Sequence, residues 1–177
     1  MKWIISQDGL EPPLQGGIQD DVLTSQPEGD GNKLAAEGLS QRGGQAMAVA
    51  GLDPRVTFFA AQIPAMCDHT GMVVGRISGW PRLVSVTGGK PDEKSLQAAR
   101  YFDAVNFARL TKAGAFFTVG FIDVVCQPTS VYAAYNAVAG EKEIADYFHT
   151  GHIATPEADA ATKAAILAHV RGTKSNK

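Results

Sequence analysis

Apolar positions in this chain fall into concentrated runs separated by stretches rich in glycine and proline. Lys33 to Leu39 predicts a short strand, and Gln45 to Gly51, rich in alanine, predicts a helix stopped by Gly51. Val56 to Ile63 mixes β-branched and aromatic residues without strict alternation, the pattern of a strand covered on both faces, and Pro64 ends it. From Ala65 to Lys90 the pattern dissolves among Gly71, Gly75, Gly79, Trp80-Pro81 and Gly88-Gly89, with one helix expected near Met72 to Ile77. An excursion of this length in a compact domain lines a site or an interface. Asp92 to Phe102 predicts a helix, and Tyr101 to Phe107 fits either its continuation or the lining of a pocket. Ala113 to Ile122 is the strongest buried strand and ends on Asp123. Val131 to Ala139 predicts a helix with Gly140 as its stop, and Glu143 to Phe148 a last short strand that delivers His149-Thr-Gly-His152 into a loop. Pro156 then opens a helix to Val170.

Residues 1–17, with Pro12, Pro13, Gly16 and Gly17, read as an irregular leader, and Ile18 to Gln26 as a short amphipathic helix. The domain is therefore expected over residues 18–170, followed by a polar tail at 171–177. Strands and helices alternate through it, which predicts the α/β class: a mostly parallel sheet of about four strands with flanking helices as crossovers.

Composition narrows the function. With 177 residues, 45% hydrophobic content and a net charge of -2, the chain fits one globular domain. Lys and Arg total 16 against 18 Asp and Glu without a basic block, which argues against nucleic acid as a partner. The N-terminal apolar run is too short for a signal-peptide core and no stretch is long enough to span a membrane, so the expected setting is cytoplasmic. Cys67 and Cys126 lack metal-ligand spacing and read as small buried residues.

The candidate chemistry begins at Gly38-Leu-Ser40, a serine at a predicted strand-to-helix turn. The nucleophile elbow G-x-S-x-G has this arrangement, but Arg42 occupies the position of its last glycine, and Ser40 taken alone is more readily a turn or cap residue. Asp123 and His152 complete the chain order Ser, Asp, His, each at the end of a predicted strand. That order separates the α/β-hydrolase arrangement from other serine hydrolases. A serine hydroxyl needs a histidine to take its proton, and that histidine needs a carboxylate to orient it. Of the other histidines, His149 is expected to stay in the last strand as a structural residue, His69 lies in the excursion, and His169 suits the C-terminal end of its helix. Asp103 and Asp146 read as a cap or a solvated face.

Six segments then carry a resemblance: Gly38-Leu-Ser-Gln-Arg-Gly-Gly-Gln45, Ala50-Gly-Leu-Asp-Pro-Arg-Val56, Tyr101-Phe-Asp-Ala-Val-Asn-Phe-Ala108, Val119-Gly-Phe-Ile-Asp-Val-Val-Cys-Gln-Pro128, Tyr132-Ala-Ala-Tyr-Asn136 and Gly151-His152. In this order they resemble the acetyl xylan esterase and cephalosporin-C deacetylase family, from about Ile18 to the last helix. The resemblance implies an α/β-hydrolase fold and a serine esterase, without metal or cofactor, that releases acetate from acetylated carbohydrate or other small acetyl esters, and it implies a homo-oligomer. It makes Ser40 the nucleophile, Asp123 the orienting acid, His152 the base and the Gln41 N–H an oxyanion-hole donor. It also implies a longer N-terminal half with further strands and a second oxyanion donor, so the chain reads as the C-terminal half of such an enzyme. The alternative is an impaired or inactive fragment, at most an oligomer partner. Arg42 is expected to crowd the elbow and displace Ser40.

Overall fold

The structure is a computed structural model and describes residues 3–6 and 32–172. Five parallel strands form one sheet in the spatial order β1-β2-β3-β6-β7: β1 (Trp3–Ser6), β2 (Leu34–Leu39), β3 (Val56–Gln62), β6 (Gly114–Gly120) and β7 (Lys142–Tyr147). A two-residue ribbon in the excursion supplies β4 (Val86–Thr87) and β5 (Lys90–Pro91). The helices are α1 (Gln41–Leu52), α2 (Glu93–Ala99), α3 (Ala104–Ala108), α4 (Pro128–Ala137) and α5 (Pro156–Arg171).

The two apolar runs without alternation are the centre of the sheet. On one face, Phe59, Ala61, Phe117 and Val119 pack with Met47 of α1, Val105 of α3, and Val131 and Ala134 of α4. On the other face, Ala35, Ala60 and Phe116 pack against Ile166 of α5. Successive residues of a strand point to opposite faces, and here both faces are covered by helices, so neither needs a polar position.

Several elements differ from the sequence expectation. The sheet has five strands rather than four, because Trp3–Ser6 pairs in parallel with Leu34–Glu37. Residues 1–17 are therefore not irregular throughout. Helix α1 starts at Gln41, four residues earlier than its alanine run, because Gly43 and Gly44 are buried helical residues rather than a loop. The predicted helix at 72–77 is a single 3₁₀ turn, Gly71–Val74. The segment from Asp92 to Ala108 breaks into two helices, each with its own aspartate cap: Asp92 accepts from the Ser95 N–H and Asp103 from the Val105 N–H. Helix α4 ends at Ala137 with an extended Val138, so Gly140 is not its stop. The expected helix at 18–26 lies outside the described residues.

Candidate active site

Ser40 follows the last residue of β2 directly and sits at φ 55°, ψ -117°, a conformation that costs a non-glycine residue of order 1–3 kcal/mol. The strain is held by backbone hydrogen bonds on both sides. The Ser40 N–H donates to the Gln62 carbonyl at 2.8 Å, and the Ser40 carbonyl accepts from Gly44 N–H at 3.2 Å and Ala65 N–H at 2.9 Å. The turn is tight enough that a Cβ on Gly38 would lie 2.3 Å from the Arg42 backbone. Gly38 is what leaves room at position 42. The Arg42 side chain points outward and is exposed, so the expected crowding is corrected: the arginine occupies the surface of the turn, and Ser40 remains over the strand end.

Asp123 and His152 are brought to Ser40 by two loops joined at the ends of β6 and β7. The Phe121 N–H donates to Tyr147 and the Ile122 N–H to Thr150. A Cβ on Gly120 would fall 2.5 Å from the Thr150 carbonyl oxygen, so only glycine lets the histidine loop lie this close. The Asp123 side chain is fully buried. Its Oδ1 accepts from the N–H groups of Val125 (2.7 Å) and Cys126 (2.9 Å), while Oδ2 meets His152 Nδ1 at 2.8 Å. On the other edge of the ring, His152 Nε2 lies 2.9 Å from Ser40 Oγ. The imidazole is 28% exposed, open to water on one side.

Cys126 lies behind this line. Burial, and then the charge of Asp123, push its thiol up to about 12, against a hydrogen bond with Ser40 that lowers it. Ligand atoms of Asp123, Cys126 and His152 lie within 4.8 Å of one another. The Asp123 to His152 hydrogen bond accounts for that proximity, and a thiol kept protonated is a weak nucleophile and metal ligand. Both cysteines are buried and free, as read from the sequence.

A cavity of about 430 Å³ opens beside the elbow, lined by Gln41 and by Met66, His69, Trp80, Pro81 and Leu83 of the excursion, with Phe102 beyond α2. The excursion thus forms one wall of a cavity. Its path is set by Asp103, whose buried carboxylate accepts from the N–H groups of Asp68 (2.9 Å) and His69 (2.8 Å) besides capping α3. Sequence reading found the cap at Asp103 but not this tether, for which the only signal is an aspartate amid apolar neighbours. Gln41 heads α1, and the first N–H groups of a helix have no partner within it. His149 lies beyond the end of β7 and is exposed, contrary to its expected place in the strand. His169 stacks on Phe58 and meets Thr57 Oγ1 at 2.9 Å. Asp146 accepts from the Tyr132 hydroxyl at 2.7 Å.

A parallel sheet covered on both faces, with a serine on a strained strand-to-helix turn and then an aspartate and a histidine at later strand ends, is the architecture of the α/β-hydrolases. The chain belongs to the acetyl xylan esterase (AXE1) family, whose model matches residues 18–169. It is 38% identical over 123 residues to acetyl esterase Axe7A of Xylanibacter ruminicola, a match covering 70% of this chain and 28% of that protein. Among solved structures, the acetyl xylan esterase from Paenibacillus sp. R4 superposes with a TM-score of 0.75 at 30% identity, covering 89% of this chain and 52% of that one. Acetyl xylan esterase 1 from Thermoanaerobacterium sp. JW/SL YS485 does so at 0.71 and 25%, covering 88% and 51%. The chain thus spans about half the length of these two esterases. No helix among the described residues is long and apolar enough to cross a membrane.

Proposed function

We propose that the chain carries the catalytic residues of a carboxylic ester hydrolase that removes acetyl groups from acetylated xylo-oligosaccharides or related small esters. The observation that carries this reading is the unbroken line Asp123 Oδ2, His152 Nδ1, His152 Nε2 and Ser40 Oγ, with contacts of 2.8 and 2.9 Å. Ser40 Oγ attacks the ester carbonyl as His152 Nε2 takes its proton, and Asp123 holds the ring and stabilises its charged form. The proton passes from His152 to the leaving alcohol as the C–O bond breaks. Water, deprotonated by His152, then cleaves the acetyl-serine and releases acetate. The Gln41 N–H at the head of α1 supports the oxyanion. None of these steps calls on a cofactor.

The test is hydrolysis of p-nitrophenyl acetate by the purified chain beside Ser40→Ala. Turnover lost in that variant supports the reading, and equal background rates in both contradict it.

The same proposal includes a homo-oligomer in the cytoplasm. Support for association comes from the apolar side chains around the Asp123 and His152 loops, Ile122 (62% exposed), Val124 (80%), Phe148 (60%) and Ile153 (61%), since clustered exposed apolar surface marks contact sites.

A further inference from the structure

The cavity beside Gln41 has apolar walls. Met66, Trp80, Pro81, Leu83, Ala98 and Phe102 line it, and Trp80, Leu83 and Phe102 are 42%, 40% and 58% exposed. Three polar residues also border it, Gln41, His69 and Ser95, and two of them are hidden or engaged. His69 is fully buried, so its ring nitrogens are not presented to a ligand. Ser95 Oγ donates to the Asp92 carbonyl and accepts from the Ser85 N–H, each at 3.1 Å. The walls are fixed relative to the nucleophile. The Ala65 N–H donates to the Ser40 carbonyl at 2.9 Å, the Met66 N–H to the Trp80 carbonyl at 2.7 Å and the Ala104 N–H to the Met66 carbonyl at 2.7 Å. Two consecutive residues thus join the serine turn, the excursion and α3.

We infer that this cavity is an acyl pocket that takes an apolar acyl chain longer than acetyl, of about hexanoyl size. This rests on the ester-hydrolase reading of Ser40. Proton transfer decides which half of the ester enters: the leaving oxygen must come within reach of His152 Nε2 to receive its proton, which places the alcohol half on the His152 side of Ser40. The residues lining the cavity come from the head of α1, the excursion, and α2 with the turn after it, and none from the Asp123 or His152 loops. The half that reaches into it is therefore the one attached to the carbonyl carbon. A volume of about 430 Å³ is in the range of pockets that enclose a whole small molecule, and an acetyl group would leave most of it unfilled. An alkyl chain brings no hydroxyls that need partners at apolar walls, and each methylene it buries there strengthens binding about fourfold.

The test compares p-nitrophenyl acetate with p-nitrophenyl hexanoate, which share a leaving group, so the ratio of their kcat/KM values, each corrected for spontaneous hydrolysis, reads the acyl side alone. The ratio should favour hexanoate at least tenfold. Ala98→Trp, which fills the cavity from an exposed position on α2, and Leu83→Asn, which makes a wall polar without filling it, should each lower the ratio at least fivefold. A ratio at or below one, or a ratio that neither variant moves, would overturn the inference. Ligand-observed NMR on the chain carrying Ser40→Ala reads the cavity without turnover: hexanamide should bind, acetamide should not, and adding Ala98→Trp should abolish hexanamide binding. Hexanamide binding that Ala98→Trp abolishes, in a chain without Ser40-dependent turnover of either ester, would sink the hydrolase reading and keep the cavity as a site for an apolar chain. Ser40-dependent turnover of both esters without chain-length preference or hexanamide binding would sink the inference alone.

Discussion

Two carboxylates in this molecule are equally hidden and differ in what they hold. Asp103 and Asp123 are 5% and 3% exposed, each accepts from backbone N–H groups of the turn that follows it, and each lies near a buried cysteine whose thiol it helps to push up, Cys67 and Cys126 respectively. Asp103 has both oxygens bound to backbone N–H groups, those of Asp68, His69 and Val105. Asp123 satisfies backbone N–H groups with Oδ1 and keeps Oδ2 for the ring of His152. Burial alone therefore does not separate the two; the difference is that one oxygen of Asp123 is aimed at a side chain that can carry a proton.

One substitution made at both sites gives the sharpest contrast. Asp123→Asn retains an oxygen for Val125 and Cys126 but presents an amide N–H to His152 Nδ1, which forces the wrong tautomer. The expected result is a fall in kcat of about 10⁴-fold, with a melting temperature within a few degrees of the parent, read by esterase kinetics and calorimetry. Asp103→Asn should do the reverse. It keeps one oxygen, loses the acceptor for the His69 N–H, and should cost about 1–3 kcal/mol, or roughly 2–12 °C in melting temperature for a domain of this size. Asp103→Ala exposes all three N–H groups at once and should be worse. If Asp123→Asn proved mainly a stability mutant, the distinction between the two carboxylates would collapse.

The two buried thiols give a smaller effect with a defined sign. Each thiol is held above its ordinary value of 9.0 in the fold, chiefly by burial. Below pH 9 both states are protonated and the stability is fully present. Above it the unfolded thiol ionises first, so stability should fall as pH rises from 9 towards about 12, where folded Cys126 ionises. Tyr132, also pushed up to about 12, acts in the same direction, so the cysteine share is the difference between the parent slope and that of Cys126→Ala. An unchanged alkaline slope in the variant would argue against a buried neutral thiol.

The smallest effect is expected at the elbow. Because Arg42 is exposed and Gly38 provides the clearance, Arg42→Gly should change kcat by less than about threefold, a surface change of under ~0.7 kcal/mol. A gain of 100-fold would mean that the arginine does displace Ser40 after all.

Much of this is legible in the sequence because the central strands are covered on both faces, which makes β3 and β6 mostly apolar runs without alternation and with sharp ends. Ser40, Asp123 and His152 were found through chain order and strand ends rather than through any one motif. Strand β1 was not legible, since four residues are too short for a period and its partner, Leu34–Glu37, is remote in sequence. The start of α1 was missed because Gly43 and Gly44 have poor helix propensity, and their burial in the packed helix overrides it. The Asp103 tether depends on how the excursion folds back over the sheet, and no local pattern encodes that.

The central claim, that Ser40 is a nucleophile activated by His152, is tested most directly by treating the chain with a fluorophosphonate and locating the adduct by peptide mass spectrometry. The account predicts a single adduct on Ser40, absent in Ser40→Ala and formed about 10³-fold or more slowly in His152→Ala, since the serine then lacks its base. A folded chain that takes up no label at Ser40, or labels it equally fast without His152, would contradict it.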